Sequence, residues 1–303
     1  MSREGALQVP AVSSRPSLAA VAELFKPVTW FPPMWAFACG VVGSGVPISE
    51  HAGLAILGVV LAGPLVCATS QAVNDWFDRH VDAINEPHRP IPSGRIPGRW
   101  GLRIAILWTI VSLLVASALG PVGFAAAAAG LALAWAYSAP PVRLKRNGWW
   151  GNLACGASYE GLAWITGAAV MAGGALPATG TFVLAALYSA GAHGIMTLND
   201  FKAIEGDRRM GIRSLPVQLG VNGAAWAACV IMALPQVVVV AYLATAGRPW
   251  HAIAVAALLA GQLLMMKRFL ASPRERALWY SGFGVPLFVS GMMVAAFALR
   301  GMS

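Results

Sequence analysis

Long apolar runs separated by short polar segments dominate this chain of 303 residues. A helix needs about 20 apolar residues to cross the hydrocarbon core of a bilayer. The pattern therefore predicts an all-α, polytopic integral membrane protein, with a tail at 1–25 and a single membrane domain at 26–303. The nine predicted spans are 28–46, 53–74, 101–118, 121–138, 152–172, 180–199, 223–245, 251–270 and 278–299.

The composition excludes an ordinary water-soluble domain. Hydrophobic residues make up 58% of the chain and charged residues only 11%, whereas soluble domains carry about 25% charged residues. The four cysteines lie inside apolar runs without metal-ligand spacing, so we expect neither a disulfide framework nor a thiolate metal site. The first residues, up to Leu24, contain no continuous apolar run, which favours a cytoplasmic tail over a cleaved signal.

The basic residues divide unequally between the two sides of the predicted bundle. Nineteen of the 21 lysines and arginines fall on the side of the N-terminus, and only Arg248 and Arg300 fall on the other. Cytoplasmic loops of membrane proteins carry this excess. The sequence therefore predicts that the N-terminus and the polar loops face the cytoplasm. The net charge of +9 reflects this topology, and no nucleic-acid partner is expected.

All five aspartates lie in two short clusters, which follow the second and sixth spans. The clusters are Asn74, Asp75, Asp78 and Asp82, and Asn199, Asp200 and Asp207. An offset of 125 residues maps the asparagine and the first and last aspartates of one cluster onto those of the other. Each cluster leads into a basic segment that contains proline, 89–92 or 213–216. The sequence thus predicts an internal repeat.

The chemistry of these clusters points to a cation. Aspartates at i, i+3 and i+7 share one face of a helix, and their mutual repulsion requires a positive partner. Mg²⁺ is bound by one or two carboxylates together with water and substrate phosphates, and interleaved Arg and Lys side chains suit a diphosphate. In the second copy Ala203 takes the place of Asp78, so Glu205 could supply the missing oxygen.

The pattern Asn74-Asp75-x-x-Asp78-x-x-x-Asp82, with the second cluster after the sixth span, resembles the intramembrane aromatic prenyltransferase superfamily over nearly the whole chain. Longer strings resemble its chlorophyll and bacteriochlorophyll synthase branch, at 82–94, 137–145, 147–152 and 199–208. Glu160 and His193 resemble the bacteriochlorophyll side of that branch. The resemblance implies two repeat-related helical bundles around a cavity, which the cytoplasmic loops cap.

The activity implied by the resemblance is the esterification of the ring-D propionate of bacteriochlorophyllide by a C20 prenyl diphosphate, geranylgeranyl diphosphate, with release of diphosphate. The implied cofactor is Mg²⁺, as two ions. The implied partners are the two substrates, the lipid bilayer and other pigment-biosynthesis or assembly proteins. The implied location is the inner or intracytoplasmic membrane.

The resemblance also assigns roles to residues. Metal ligands would be Asn74, Asp75, Asp78, Asp82, Asn199, Asp200 and Asp207, and the catalytic group would be Asp75, Asp78, Asp200, Lys145 and Tyr137. Substrate contacts would be Arg79, Lys202, Arg208, Glu160, His193 and Trp164. Alternatively, each basic residue could serve only to set the membrane topology, Glu160 could make a structural polar contact between helices, and His193 could be a packing residue with its hydrogen bonds satisfied.

Other functions stay open on the sequence alone. A prenyltransferase acting on a quinone precursor, 4-hydroxybenzoate or homogentisate, would share the metal site. An ion-coupled transporter would place its acids near the bilayer midplane, where only Glu160 is expected. A pigment carrier would bind without turnover. An acceptor carboxylate titrates around pH 4 and is already ionised, so esterification does not require a strong base.

Overall fold

The computed structural model describes residues 15–302, and all regular elements in that part of the chain are helices. They are α1 Leu18–Leu24, α2 Phe31–Gly43, α3 Ala52–Asn85, α4 Trp100–Ser117, α5 Gly120–Ser138, α6 148–171, α7 Thr179–Asp200, α8 Ile204–Arg209, α9 Leu215–Thr245, α10 Pro249–Ala271 and α11 Pro273–Leu299. The all-α prediction is confirmed. Most of the predicted N-terminal tail lies outside the described residues.

Every predicted span coincides with a helix. Within residues 15–302, seven helices are long and apolar enough to cross a bilayer, namely α3, α4, α5, α7, α9, α10 and α11. The helix at the first predicted span, α2, has only 13 residues, and α6 is divided by the π-helical segment Ala157–Leu162. Gly220, with φ of 71°, interrupts α9 before the apolar part that the sequence predicts at 223–245.

The first aspartate cluster lies inside a helix. The apolar run of the second span ends near Asn74, but α3 continues to Asn85. The length of an apolar run is set by the thickness of the bilayer core. The helix itself is held by backbone hydrogen bonds and can continue beyond that core into water. The aspartates therefore stand on a rigid helix and not on a loop.

The 125-residue offset extends from the aspartates to whole helices. Shifting α3, α4 and α5 by 125 residues gives 177–210, 225–242 and 245–263, which fall on α7 with α8, on α9 and largely on α10. The same shift moves α2 to 156–168, within α6. The fold therefore consists of two four-helix repeats followed by α11.

The first helices of the two repeats, α2 and α6, pack with their backbones in close contact. A Cβ added to Gly40 would lie 2.0 Å from the carbonyl oxygen of Trp164, and one added to Gly167 would lie 2.1 Å from that of Phe37. Small residues permit this approach between membrane helices. The seam joins the two repeats.

Helix α1 places a lysine beside the first aspartate cluster. Its Ala20 and Leu24 are buried against Ala68 and Ala72 of α3, and the Trp30 indole donates a hydrogen bond to the carbonyl of Phe25 at 2.9 Å. These contacts fix the turn between α1 and α2. Lys26 lies in that turn, at the polar end of α3.

Candidate active site

A cavity of about 620 Å³, here called the polar cavity, lies at the basic side of the bundle. One part of its wall comes from α3 and another from α7 and α8. The predicted site residues in its lining are Asn74, Asp78, Asp82, Tyr137, Lys145, Asp200, Lys202 and Asp207. The fold thus brings together the two aspartate clusters that are 125 residues apart in sequence.

Asp78 is held by two cations from the loop between α5 and α6. The ammonium of Lys145 donates a hydrogen bond to Asp78 Oδ2, and Arg143 Nη2 lies 3.3 Å from Asp78 Oδ1. The Lys145 side chain is only 8% exposed. Burial lowers the pKa of Lys145, although the carboxylate of Asp78 acts in the opposite direction. Lys145 is therefore a buried cation at the cavity wall.

Asp75 faces a different set of cations. Lys26 Nζ donates to Asp75 Oδ1 at 2.6 Å, and Arg89 Nη1 lies 3.6 Å from the same oxygen and 2.9 Å from Asp82 Oδ2. Asp75 is 1% exposed and does not line the polar cavity. Its second oxygen, Oδ2, is buried without a hydrogen-bond partner. Arg89 therefore links Asp75, behind the wall, to Asp82 in the wall.

Two of these cations have an unusual backbone. Among residues 15–302, Lys26 and Arg143 are the non-glycine residues with positive φ, at 45° and 43°. This left-handed conformation is unfavourable for a residue with a side chain and is found where the surroundings enforce it. Both residues pair with the first aspartate cluster, so the strain is associated with the site.

The second cluster has neutral partners. Asn152 Nδ2 lies 3.5 Å from Asp200 Oδ2, and Ser214 Oγ donates to Asp207 Oδ2 at 2.6 Å. Burial raises the pKa of Asp207, against the opposing effect of the Ser214 hydrogen bond. In the described part of the chain neither carboxylate has an ion-pair partner. These two acids therefore enter the cavity without a compensating cation.

The donor set fits a hard divalent cation that is shared with a substrate. Within residues 15–302 no three His, Cys, Asp or Glu side chains converge on one point. However, the amide of Asn74 and carboxylates from both clusters line the same cavity. Mg²⁺ keeps several waters and takes one or two carboxylates plus substrate phosphates. The arrangement suits such partial coordination and does not form a closed protein cage.

A second cavity of about 340 Å³, here called the inner cavity, adjoins the first. Asn74 and Tyr137 line both cavities. The inner cavity also contacts Asn199, so the asparagines of the two clusters meet here. It lies farther along the helices, toward the middle of the bundle, and includes Glu160 of α6.

Several predicted substrate contacts lie elsewhere. The Arg79 guanidinium stacks 4.1 Å above the Trp76 ring and donates to its carbonyl. His193 Nε2 is 3.1 Å from the carbonyl of Trp149. Trp164 is fully buried and stacks on Tyr188. These side chains have local partners and line neither cavity.

Two further residues stand outside the cavity linings. Arg208 is absent from the walls of both cavities. Glu205, considered as a replacement for the acid missing at Ala203, is paired with Arg274 and is largely exposed. The Arg274 hydrogen bond lowers the pKa of Glu205. Glu205 therefore does not reach the cavity, although Ala203 itself lines it.

The structure adds site residues that the sequence interpretation did not assign. They are Lys26, Arg89, Arg143, Asn152 and Ser214. A signal existed for two of them, because Arg89 and Ser214 are related by the offset of 125, and each follows the last aspartate of its cluster by seven residues. The others contact the clusters only through the tertiary fold.

Comparison with known proteins identifies close relatives. The model of the UbiA prenyltransferase family matches residues 29–298. The bacteriochlorophyll synthase 33 kDa chain of Rhodobacter capsulatus is 57% identical over 296 residues, which cover 97% of each chain. A solved structure of digeranylgeranylglyceryl phosphate synthase has a TM-score of 0.71 at 21% identity, covering 92% of this chain and 98% of that one. A UbiA homolog from Archaeoglobus fulgidus, bound to DMAPP and Mg²⁺, has a TM-score of 0.64 at 20% identity, covering 94% of this chain and 100% of that one.

Proposed function

Because the chain belongs to the UbiA prenyltransferase family, we propose that it transfers a C20 geranylgeranyl group from its diphosphate to the ring-D propionate of bacteriochlorophyllide. A bond forms between a propionate oxygen and C1 of the prenyl group, and the bond from C1 to the diphosphate oxygen breaks. Diphosphate leaves with the bonding electrons. The choice of acceptor is supported by the similarity to bacteriochlorophyll synthase of Rhodobacter capsulatus.

The observation that carries this proposal is the polar cavity, which has acids from both repeats, the buried Lys145 and the exposed Lys202 in its lining. Lys145 and Lys202 line it directly, and a diphosphate requires such donors. The Lys145 ammonium is held at the wall by Asp78, so a phosphate oxygen would meet a donor that is already in position. The buried position strengthens the interaction, because few competing waters surround the charge.

Mg²⁺ is the proposed cofactor, as two ions, one at each aspartate cluster. The residues to hold it are Asn74, Asp78 and Asp82 on one side and Asn199, Asp200 and Asp207 on the other, with Asp82 and Asp207 positioned by Arg89 and Ser214. When bound, the metal neutralises the negative charge that develops on the leaving diphosphate. The Archaeoglobus fulgidus structure with DMAPP and Mg²⁺ supports this assignment.

Tyr137 is the proposed residue at the reacting carbon. It lines both cavities, so it would lie between the diphosphate on one side and the acceptor on the other. Its ring face is negative and suits a carbon that becomes positive. The acceptor carboxylate is ionised at neutral pH, so no side chain has to remove a proton.

The orientation proposed from the charges is that the polar cavity opens to the cytoplasm across the inner membrane. The multi-pass architecture itself follows from the helices. The loops around the cavity hold most of the basic residues, and the opposite side has Arg248 and Arg300. The charged diphosphate head of the donor would then face the cytoplasm, whereas its prenyl chain and the acceptor macrocycle would lie on the bilayer side.

The test is reconstitution of the purified protein in lipid with geranylgeranyl diphosphate and Mg²⁺, followed by mass spectrometry of the products. Bacteriochlorophyllide, 4-hydroxybenzoate and homogentisate are offered in separate reactions. We expect a prenyl ester of bacteriochlorophyllide and one diphosphate per ester. Prenylation of a quinone precursor alone would overturn the proposed acceptor, and binding of pigment without ester would indicate a carrier.

A further inference from the structure

Glu160 is a buried acid without a protein partner. It lies on the π-helical segment Ala157–Leu162 of α6 and is only 7% exposed. Its carboxyl group makes no hydrogen bond or ion pair with residues 15–302 and lies in the wall of the inner cavity. An ionised group in this position without a partner is costly, so it requires a proton or a ligand. Single π-helical turns within α-helices are frequent at functional sites.

The inner cavity has more hydrogen-bonding groups than a channel for a hydrocarbon needs. Besides Glu160, its wall contains the side chains of Ser70, Gln71, Tyr159 and Asn199. Burying polar groups against a ligand without hydrogen bonds carries a penalty. Gln71 donates to the Tyr159 hydroxyl at 3.4 Å, and that hydroxyl donates to Ser70 at 3.5 Å, so these three groups have partners within the protein. A prenyl chain offers no hydrogen-bonding atom, so it leaves Glu160 unsatisfied. The occupant that fits has both apolar surface and polar atoms.

The position of Glu160 sets a length for that occupant. Glu160 lies eight residues beyond Asn152 of the polar cavity along α6, which at 1.5 Å per residue is about 12 Å. A molecule that extends from the level of Asn152 in the polar cavity to Glu160 therefore has to span about 12 Å along the helix axis.

We propose that the inner cavity binds one edge of the acceptor macrocycle and that Glu160, as the neutral acid, donates a hydrogen bond to a carbonyl on that edge. This inference rests on the proposed function, because it takes the acceptor to be a tetrapyrrole. The propionate then lies at the boundary of the two cavities, beside Asn74 and Tyr137. Glu160 determines which acceptor is used and does not contact the diphosphate.

The test compares Glu160→Leu and Glu160→Gln with the unchanged protein, with KM measured separately for each substrate. Glu160→Leu raises KM for bacteriochlorophyllide about 10-fold or more and leaves that for geranylgeranyl diphosphate unchanged, because one hydrogen bond to the acceptor is lost. Glu160→Gln retains an N–H donor and restores most of the affinity. An unchanged acceptor KM in Glu160→Leu would overturn the proposal.

A binding measurement separates this inference from the proposed function. Bacteriochlorophyllide is titrated without prenyl diphosphate, and its absorbance reports binding. Glu160→Leu weakens this binding, whereas Thr166→Val, which removes another buried hydroxyl from α6, does not. If esterification fails but the Glu160 effect on binding persists, only the activity is refuted. If Glu160→Leu weakens both substrates equally, the residue is structural and the inference falls.

A series of acceptors identifies the bonded carbonyl. Analogues in which one conjugated carbonyl of the macrocycle is replaced by a methylene group are tested in turn. We expect one analogue to bind the unchanged protein about as weakly as the natural acceptor binds Glu160→Leu. Glu160→Leu should bind that analogue no more weakly than it binds the natural acceptor. If the loss of affinity caused by the analogue and the loss caused by Glu160→Leu add up for every analogue, the hydrogen bond is excluded.

Discussion

Ser214 Oγ donates a hydrogen bond to Asp207 Oδ2 at 2.6 Å. The residues related to them by the repeat offset make the same contact, because Arg89 Nη1 donates to Asp82 Oδ2 at 2.9 Å. The repeat thus preserves the position of the donor but changes its charge. The first cluster has cationic partners within the protein, whereas the second has only neutral hydrogen-bond donors and therefore depends more on a bound cation.

Removal of the Ser214 hydroxyl tests this outer contact. Ser214→Ala leaves Asp207 without its donor, and loss of such a supporting hydrogen bond costs about 10-fold to 100-fold in metal affinity. We expect the Mg²⁺ concentration for half-maximal activity to rise by about 10-fold. Ser281→Ala is the control, since that hydroxyl bonds only to a carbonyl of its own helix. The same Mg²⁺ dependence in both variants would contradict the role of Ser214.

Asp75→Asn and Asp200→Asn should separate stability from catalysis. Asp200 has only an amide partner, so Asp200→Asn abolishes prenyl transfer without lowering the unfolding temperature. Asp75→Asn abolishes prenyl transfer too, but in addition it leaves the Lys26 ammonium without its carboxylate partner. That loss destabilises the fold by about 2 kcal/mol, less than in a fully buried pair because Lys26 is partly exposed. Thermal unfolding in detergent measures the difference. Equal unfolding temperatures would mean that the Lys26–Asp75 pair contributes nothing.

The sequence predicts the helices, the repeat and both aspartate clusters, because each leaves a local or periodic pattern. It does not predict where each aspartate points. Residues on a helix advance by about 100° each, so Asp82 lies about 20° from Asp75 around α3, whereas Asp78 lies about 60° away. This difference agrees with the contacts, since Arg89 links Asp75 and Asp82, and Lys145 pairs with Asp78.

The partners themselves could not be predicted from the pattern. Lys26 and Asp75 are separated by 49 residues, and Lys145 and Asp78 by 67, so both pairs depend on how the helices pack. Similarly, His193 was a plausible pigment ligand as an intramembrane histidine, but the chain offers it the carbonyl of Trp149. Only the tertiary structure shows that His193 Nε2 has a partner while its Nδ1 is buried without one, and that the Glu160 carboxyl faces the inner cavity.

Replacement of Lys145 tests the diphosphate contact. Lys145→Met removes a buried donor from the polar cavity, and a hydrogen bond to a charged group contributes about 1.5–3 kcal/mol. We expect KM for geranylgeranyl diphosphate to rise at least 10-fold, while KM for the acceptor stays constant. Lys145→Arg retains the charge and has a smaller effect. Lys267→Met, which removes an exposed charge of α10, is the control. A purely structural role for Lys145 would raise KM for both substrates.

Cysteine labelling tests the orientation of the polar cavity. Ser93 is exposed in the basic loop between α3 and α4, and Thr245 is exposed at the opposite end of the bundle, where α9 ends. The native cysteines are buried or half-buried, so Ser93→Cys and Thr245→Cys stand out against a low background. A charged maleimide cannot cross the bilayer. If the excess of basic residues faces the cytoplasm, the reagent labels Thr245→Cys in intact spheroplasts and Ser93→Cys only in inverted vesicles. The reverse pattern would place the aspartate clusters on the outer side, where cytoplasmic diphosphate substrates could not reach them.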